Sequence, residues 1–158
     1  MTASGNVSVR PPGSGDEYWV VGDLHTLKAT GKDTGGSYAF VEILVSPGKG
    51  PPLHTHTRED EAFYILIGEI EFTVGDRIIR ARQGTFLHAP KNIPHRFTNP
   101  TTSVAKMQVW VFPAGFEQYF IEAGDPVTDP SGPAPEPNID KLLGLAPKYG
   151  LTLHLSPE

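Results

Sequence analysis

The chain has 158 residues, the length of one average domain, so a single hydrophobic core is expected and a two-domain enzyme is not. Lysine and arginine number 13 against 18 acidic residues, and the resulting net charge of −5 has the wrong sign for steering toward nucleic acid or anionic lipid. Glycine (17) and proline (16) leave little room for long helices, while the absence of cysteine excludes disulfides, thiolate metal ligands and a cysteine nucleophile.

Residues 1–17 are small, polar and rich in Gly and Pro, which predicts a flexible arm. They hold no apolar segment of the kind a secretory leader carries, and no run is long enough to span a bilayer, so a soluble, cytoplasmic chain is expected. From Tyr18 to Phe112, short runs of β-branched and aromatic residues are interrupted by Gly, Pro or Asp. They predict strands at 18–21, 24–29, 37–45, 62–67, 69–74, 77–81, 86–88, 95–98 and 105–112, hence an all-β sandwich or barrel. The run from Glu61 to Val74 is apolar on both faces, so both should be covered. Gly75-Asp76 supplies a hairpin turn, because Gly accepts the positive φ such turns require. Beyond Pro113, Phe116–Ala123 reads as a short amphipathic helix ended by Gly124. A Pro-rich connector over 125–137 leads to Asn138, an N-cap for a second helix through Leu145.

Among six histidines, His54 and His56 stand two apart, so on an extended strand their imidazoles point to one face. Glu61 follows after a turn, and His95 would complete three imidazoles and one carboxylate. Mixed nitrogen and oxygen ligation suits one divalent transition metal per chain, Fe, Mn, Ni, Co, Cu or Zn, without choosing among them. A His-x-His pair alone is more often two exposed loop histidines; the wider spacing is what alters the balance. Gly48, His54, His56, Glu61 and Gly68 follow G-x5-H-x-H-x4-E-x6-G, and Gly84, Pro90, His95 and Asn99 follow G-x5-P-x4-H-x3-N.

These two strings resemble the paired motifs of the cupin superfamily, in order and with every metal-ligand position filled. Asn92 stands where the second motif usually has Gly, a tolerable exchange because Asn enters the left-handed region more readily than other side chains. The 15 residues between the motifs, 69–83, resemble those of compact microbial cupins. Residues 33–37 and 114–117 are similar to cupins related to quercetin dioxygenase. The resemblance implies a conical antiparallel β-barrel, the double-stranded β-helix or jelly-roll, with a metal held by His54, His56, Glu61 and His95. The chain then divides into an arm (1–17), a cupin barrel (18–113) and a C-terminal helical extension (114–158) packed outside it.

Strand parity places Phe63 and Ile65 on the face of Glu61, and Phe97 and Asn99 on that of His95, so an apolar, aromatic pocket for a small organic substrate is expected around the metal. The same rings could simply fill the core. Three functions compete: a metal-dependent dioxygenase of the quercetinase kind, with Glu61 as both ligand and base; an isomerase or lyase needing the same Lewis acid and base but no O2; and a non-catalytic small-ligand sensor. The aromatic pocket and the quercetin dioxygenase resemblance favour the first. Outward residues Tyr64 and Leu66 need cover, so a homodimer is expected. His88 is open to a supporting or interface role, and Arg58, Glu59 and Asp60 read as a solvated turn.

Overall fold

Alternation of apolar and polar residues builds two antiparallel sheets. The protein's structure, a computed structural model, describes residues 5–155; the first four residues of the expected arm and the last three of the expected extension lie outside them. In chain order the strands are β1 (Asp16–Val20), β2 (Asp23–Ala29), β3 (Ala39–Val45), β4 (His54–His56), β5 (Asp60–Ile67) and β6 (Glu69–Val74). They continue with β7 (Arg77–Arg82), β8 (Phe86–Ala89), β9 (His95–Thr98), β10 (Ala105–Phe112), β11 (Asp125–Pro126) and β12 (Leu151–Leu153). Helices α1 (Gly31–Thr34), α2 (Glu117–Ala123) and α3 (Ile139–Leu145) accompany them, the last running into a 3-10 turn over Ala146–Tyr149.

One sheet has the order β11-β1-β2-β3-β10-β5-β8 and the other β12-β4-β9-β6-β7. They face each other as a jelly-roll, so the expected barrel is realised as two opposed sheets. Inward residues of β3 and β10, Val41 and Val109, sit in register with Phe63 of β5. Phe63 meets Phe72 from the opposite sheet at 5.0 Å between ring centres, and Phe72 meets Phe97 at 6.1 Å. All three rings are buried, each worth about 2–3 kcal/mol of transfer free energy.

The hairpin expected at Gly75-Asp76 is present: Val74 pairs with Arg77, and Gly75 has φ +59°. Asn92 adopts φ +67°, the left-handed conformation that the motif's usual Gly would take, and its amide donates to the carbonyl of His56 at 2.7 Å. Gly50 is required on other grounds, since a Cβ there would collide with the carbonyl oxygen of Phe97.

Three strands and one helix escape the sequence pattern. β4, β11 and β12 are two or three residues long, too short for a period to register, and α1 has only four residues. β1 begins at Asp16, inside the expected arm, and Ser8 and Arg10 both donate to the carboxylate of Asp33, at 3.0 and 2.8 Å. In the extension, α2 and α3 lie outside the sheets. Tyr119 ties them together by donating its hydroxyl to the carbonyl of Leu142 at 2.8 Å.

Candidate metal centre

His54 and His56 share one face of β4, whose neighbours are β9 and β12. His54 is in register with His95 of β9, so the ladder itself sets two imidazoles side by side, 4.4 Å between ring centres. Glu61 comes from β5 in the opposite sheet. Each of the four residues offers one ligand atom within 4.8 Å of the others, and all four are buried. Glu61 Oε2 lies 2.8 Å from His95 Nε2, and Glu61 Oε1 lies 3.4 Å from His56 Nε2. His54 donates Nδ1–H to the carbonyl of Pro52 at 2.9 Å, which fixes its tautomer and leaves the lone pair on Nε2.

The electrostatics suit a cation. Burial pushes His54 down to about 3, reinforced by its His95 and His56 neighbours, so the ring is neutral and its lone pair free. Burial alone would raise Glu61, but the surrounding imidazoles outweigh it and hold the carboxyl at about 2, so it is ionised. For His56, burial pulls downward and the charges of Glu61 and Glu59 pull harder, leaving a net rise. Both ring nitrogens of His56 are buried without a hydrogen-bond partner among the described residues. Such orphaned atoms are costly; a divalent ion held by the four residues would take up the Nε2 lone pair, while Nδ1 faces Glu59. The donor set therefore fits one transition metal of the kind expected.

A cavity of about 90 Å³ adjoins the cluster, with His54, His56 and Glu61 in its wall. Phe63 and Phe97 line it; Ile65 is buried in the core and contributes no wall. Asn99 is buried too, but its carboxamide is used locally: Nδ2 donates to the carbonyls of Val45 and Ser103, at 2.8 and 2.7 Å. The external helices supply part of the wall through Phe116, Phe120 and Leu142, and the Phe116 ring stands edge-on to His56 at 4.4 Å.

Three buried polar residues of the cluster's surroundings and the cavity wall were not legible as such. Glu59, expected in a solvated turn, is buried, and its Oε2 lies 3.6 Å from His56 Nδ1, on the side of the ring away from Glu61. His25 and Asp23, neighbours on one face of β2, are buried in the wall of the cavity. The period-two spacing of Asp23 and His25 ahead of a hydrophobic alternation was the available signal. His88 faces outward, half exposed, 3.6 Å from Asp60. His154 is an exposed partner of the Thr55 hydroxyl at 2.7 Å.

Comparison with known proteins agrees with this geometry. The cupin domain family matches residues 41–112, a span that contains all four clustered residues. Quercetin 2,3-dioxygenase of Bacillus subtilis (strain 168) is 31% identical over 114 residues, which cover 72% of this chain and 34% of that protein. The chain thus matches about a third of that relative's length. Among solved structures, a predicted oxalate decarboxylase from Thermotoga maritima superposes with a TM-score of 0.62 at 18% identity, over 68% of this chain and 99% of the other. An RmlC-like cupin from Shewanella frigidimarina gives 0.62 at 18% identity, over 72% and 96%. Those two likenesses speak for the fold alone. Both motifs and the three-histidine, one-glutamate cluster they bring together lie within that match, so residues 41–112 of this chain form a cupin domain.

Proposed function

We propose that the protein is a metal-dependent dioxygenase acting on a small aromatic or enolisable substrate, with one divalent transition metal per chain held by His54, His56, Glu61 and His95. The observation that carries this reading is the buried cluster of three imidazoles and one carboxylate in the wall of an apolar cavity. When bound, the ion supplies Lewis acidity and coordination positions for an oxygen-donor substrate and O2. The chain's own residues do the rest. Phe63, Phe97 and Phe116 exclude water and grip an apolar substrate body. Glu61, ionised and buried, accepts the proton of an enol or phenol at a carboxylate oxygen. The Pro52 carbonyl keeps His54 in one tautomer throughout. The partial likeness to quercetin 2,3-dioxygenase favours an oxygenase over an isomerase, a lyase or a sensor. Assembly as a homodimer belongs to the same proposal, supported by the aromatic outer face of the larger sheet.

The test is elemental analysis of protein purified without chelators or added metal, followed by oxygen-electrode assays with catechols, 1,3-diketones and flavonols. One equivalent of a transition metal and substrate-dependent O2 uptake are expected, and His56→Ala should lose most of the metal. Turnover that persists unchanged without O2 would replace the dioxygenase by an isomerase or lyase. Tight binding with no turnover in any condition would replace it by a sensor.

A further inference from the structure

The cavity has a second polar wall that the metal cluster does not use. Val20 pairs with Asp23 across the β1–β2 hairpin, leaving Val21-Gly22 as a two-residue turn. Both turn residues have positive φ, +50° for Val21 and +85° for Gly22. Such turns favour Asn, Asp or Gly, and a β-branched residue with positive φ is an outlier that persists only where its surroundings enforce it. Val21 lines the cavity, as do Asp23 and His25 on the strand that leaves the turn. The strained turn therefore holds these side chains at the cavity wall.

Asp23 is only 1% exposed, and its Oδ1 has no hydrogen-bond partner among the described residues. Its nearest source of positive charge is Lys49, whose stem passes beside Gly22, yet no ion pair joins the two among the described residues. Burial pushes the carboxyl up to about 8, against the pull of Lys49, so at neutral pH it is mostly protonated and offers an O–H. His25 donates Nδ1–H to the carbonyl of Asp23 at 3.3 Å, and burial, pushing the ring down to about 4, keeps it neutral. In the sheet, β2 is separated from β5, the strand of Glu61, by β3 and β10. A buried donor without an acceptor is the kind of group that discriminates between ligands, because an occupant lacking the matching oxygen leaves it unpaired.

We propose that Asp23 is a specificity-determining residue that hydrogen-bonds a hydroxyl or carbonyl oxygen of the ligand at a point distinct from the four-residue cluster. The proposal rests on the reading of the site given above and narrows its substrate class. The ligand class is an aromatic or enolic molecule with an oxygen at each end.

The experiment is anaerobic calorimetric titration of hydroquinone and of 4-methylphenol into the full-length, metal-containing protein. The two probes share a ring and differ by a hydroxyl against a methyl at one end. Wild-type protein should bind hydroquinone at least tenfold more tightly than 4-methylphenol. Asp23→Asn, which still donates, should keep most of that preference, and Asp23→Leu should reduce it to within twofold at unchanged metal content. Should Asp23→Leu not fold, Asp23→Ala reads the same loss without added bulk. A preference that survives both apolar substitutions, equal binding of the two probes by wild type, or binding of neither would overturn the proposal. Metal content and O2 uptake of the wild type judge the oxygenase separately. Loss of preference in Asp23→Leu beside a wild type that takes up no O2 would keep the role of Asp23 and remove the dioxygenase.

Discussion

Glu61 is pulled in opposite directions, toward protonation by burial and toward ionisation by three imidazoles, and the imidazoles win. Glu61→Gln keeps the size and one ligand oxygen while removing the charge and the base. The expected result is a loss of turnover of about 100-fold or more with metal still measurable in the protein, the scale of a lost general base. Undiminished turnover would relieve Glu61 of any role beyond ligation. Glu59 acts on the other side of His56, 3.6 Å from Nδ1. Outer carboxylates of this kind orient a ligating imidazole, so Glu59→Gln should weaken metal affinity by about 10- to 100-fold, read by competition with a chelator. A solvated turn residue would leave the affinity unchanged. Asp23 gives a prediction in pH. Its carboxyl ordinarily titrates near 3.8 and is raised to about 8 by burial. A group raised in this way costs stability as pH climbs from the unfolded to the folded value, because the unfolded chain gives up the proton first. The melting temperature of Asp23→Asn should therefore exceed that of wild type by a margin that widens between about pH 5 and about pH 8. Lys49 and His25 are the other titratable groups beside it, and a margin constant across that range would mean that Asp23 is not held neutral. At this scale the four clustered residues were legible because motif spacing is a property of the chain. Glu59, Asp23 and His25 were not, since only tertiary packing decides that these particular polar residues are buried.

Helices α2 and α3 and strand β12 together close one side of the site. Glu117 anchors the first of them: its Oε1 accepts from the amide of Gly31 at 2.7 Å and its Oε2 from that of Gly115 at 2.6 Å. Strand β12 pairs with β4, Leu151 opposite His56 and Leu153 opposite His54. The extension therefore does two things, covering apolar surface and fixing the strand that carries two of the imidazoles. Truncation after Phe112 should lower the melting temperature, raise binding of a hydrophobic dye and weaken metal retention, although no ligand residue is removed. A truncated protein that melts with the full chain and holds metal equally well would show that the docking contributes nothing. Both helices were readable from sequence, because Gly124 and Asn138 mark a stop and a start. Asn138 does cap α3, accepting from the amide of Lys141 at 3.1 Å. Their contact with the cavity was not readable. An amphipathic period says that a face is buried and is silent on what it is buried against.

Over the whole molecule, the larger sheet turns one face to the core and the other outward, and the outward face is unusually aromatic. Phe40 packs on Trp110 at 4.9 Å, in a row that continues through Ala62 to His88. The next row runs from Glu42 through Gln108 and Tyr64 to Phe86. Phe86 is 62% exposed and Tyr64 37%, side by side in register, with Leu44 also 37% exposed on the same face. Contiguous exposed apolar surface of this kind marks an interaction site more often than a free surface. A twofold axis through the sheet would place the band against its own copy, the isologous arrangement most homo-oligomers adopt. The expected outcome is a dimer by sedimentation at micromolar concentration, and Tyr64→Glu combined with Phe86→Glu should produce monomers, since paired charges on one patch must either be desolvated or face their own copies. Because this band lies on the outer side of the sheet from the cavity, the monomeric variant should keep its metal. A wild-type protein that remains monomeric at high micromolar concentration would leave Phe40, Trp110, Tyr64 and Phe86 without the proposed partner.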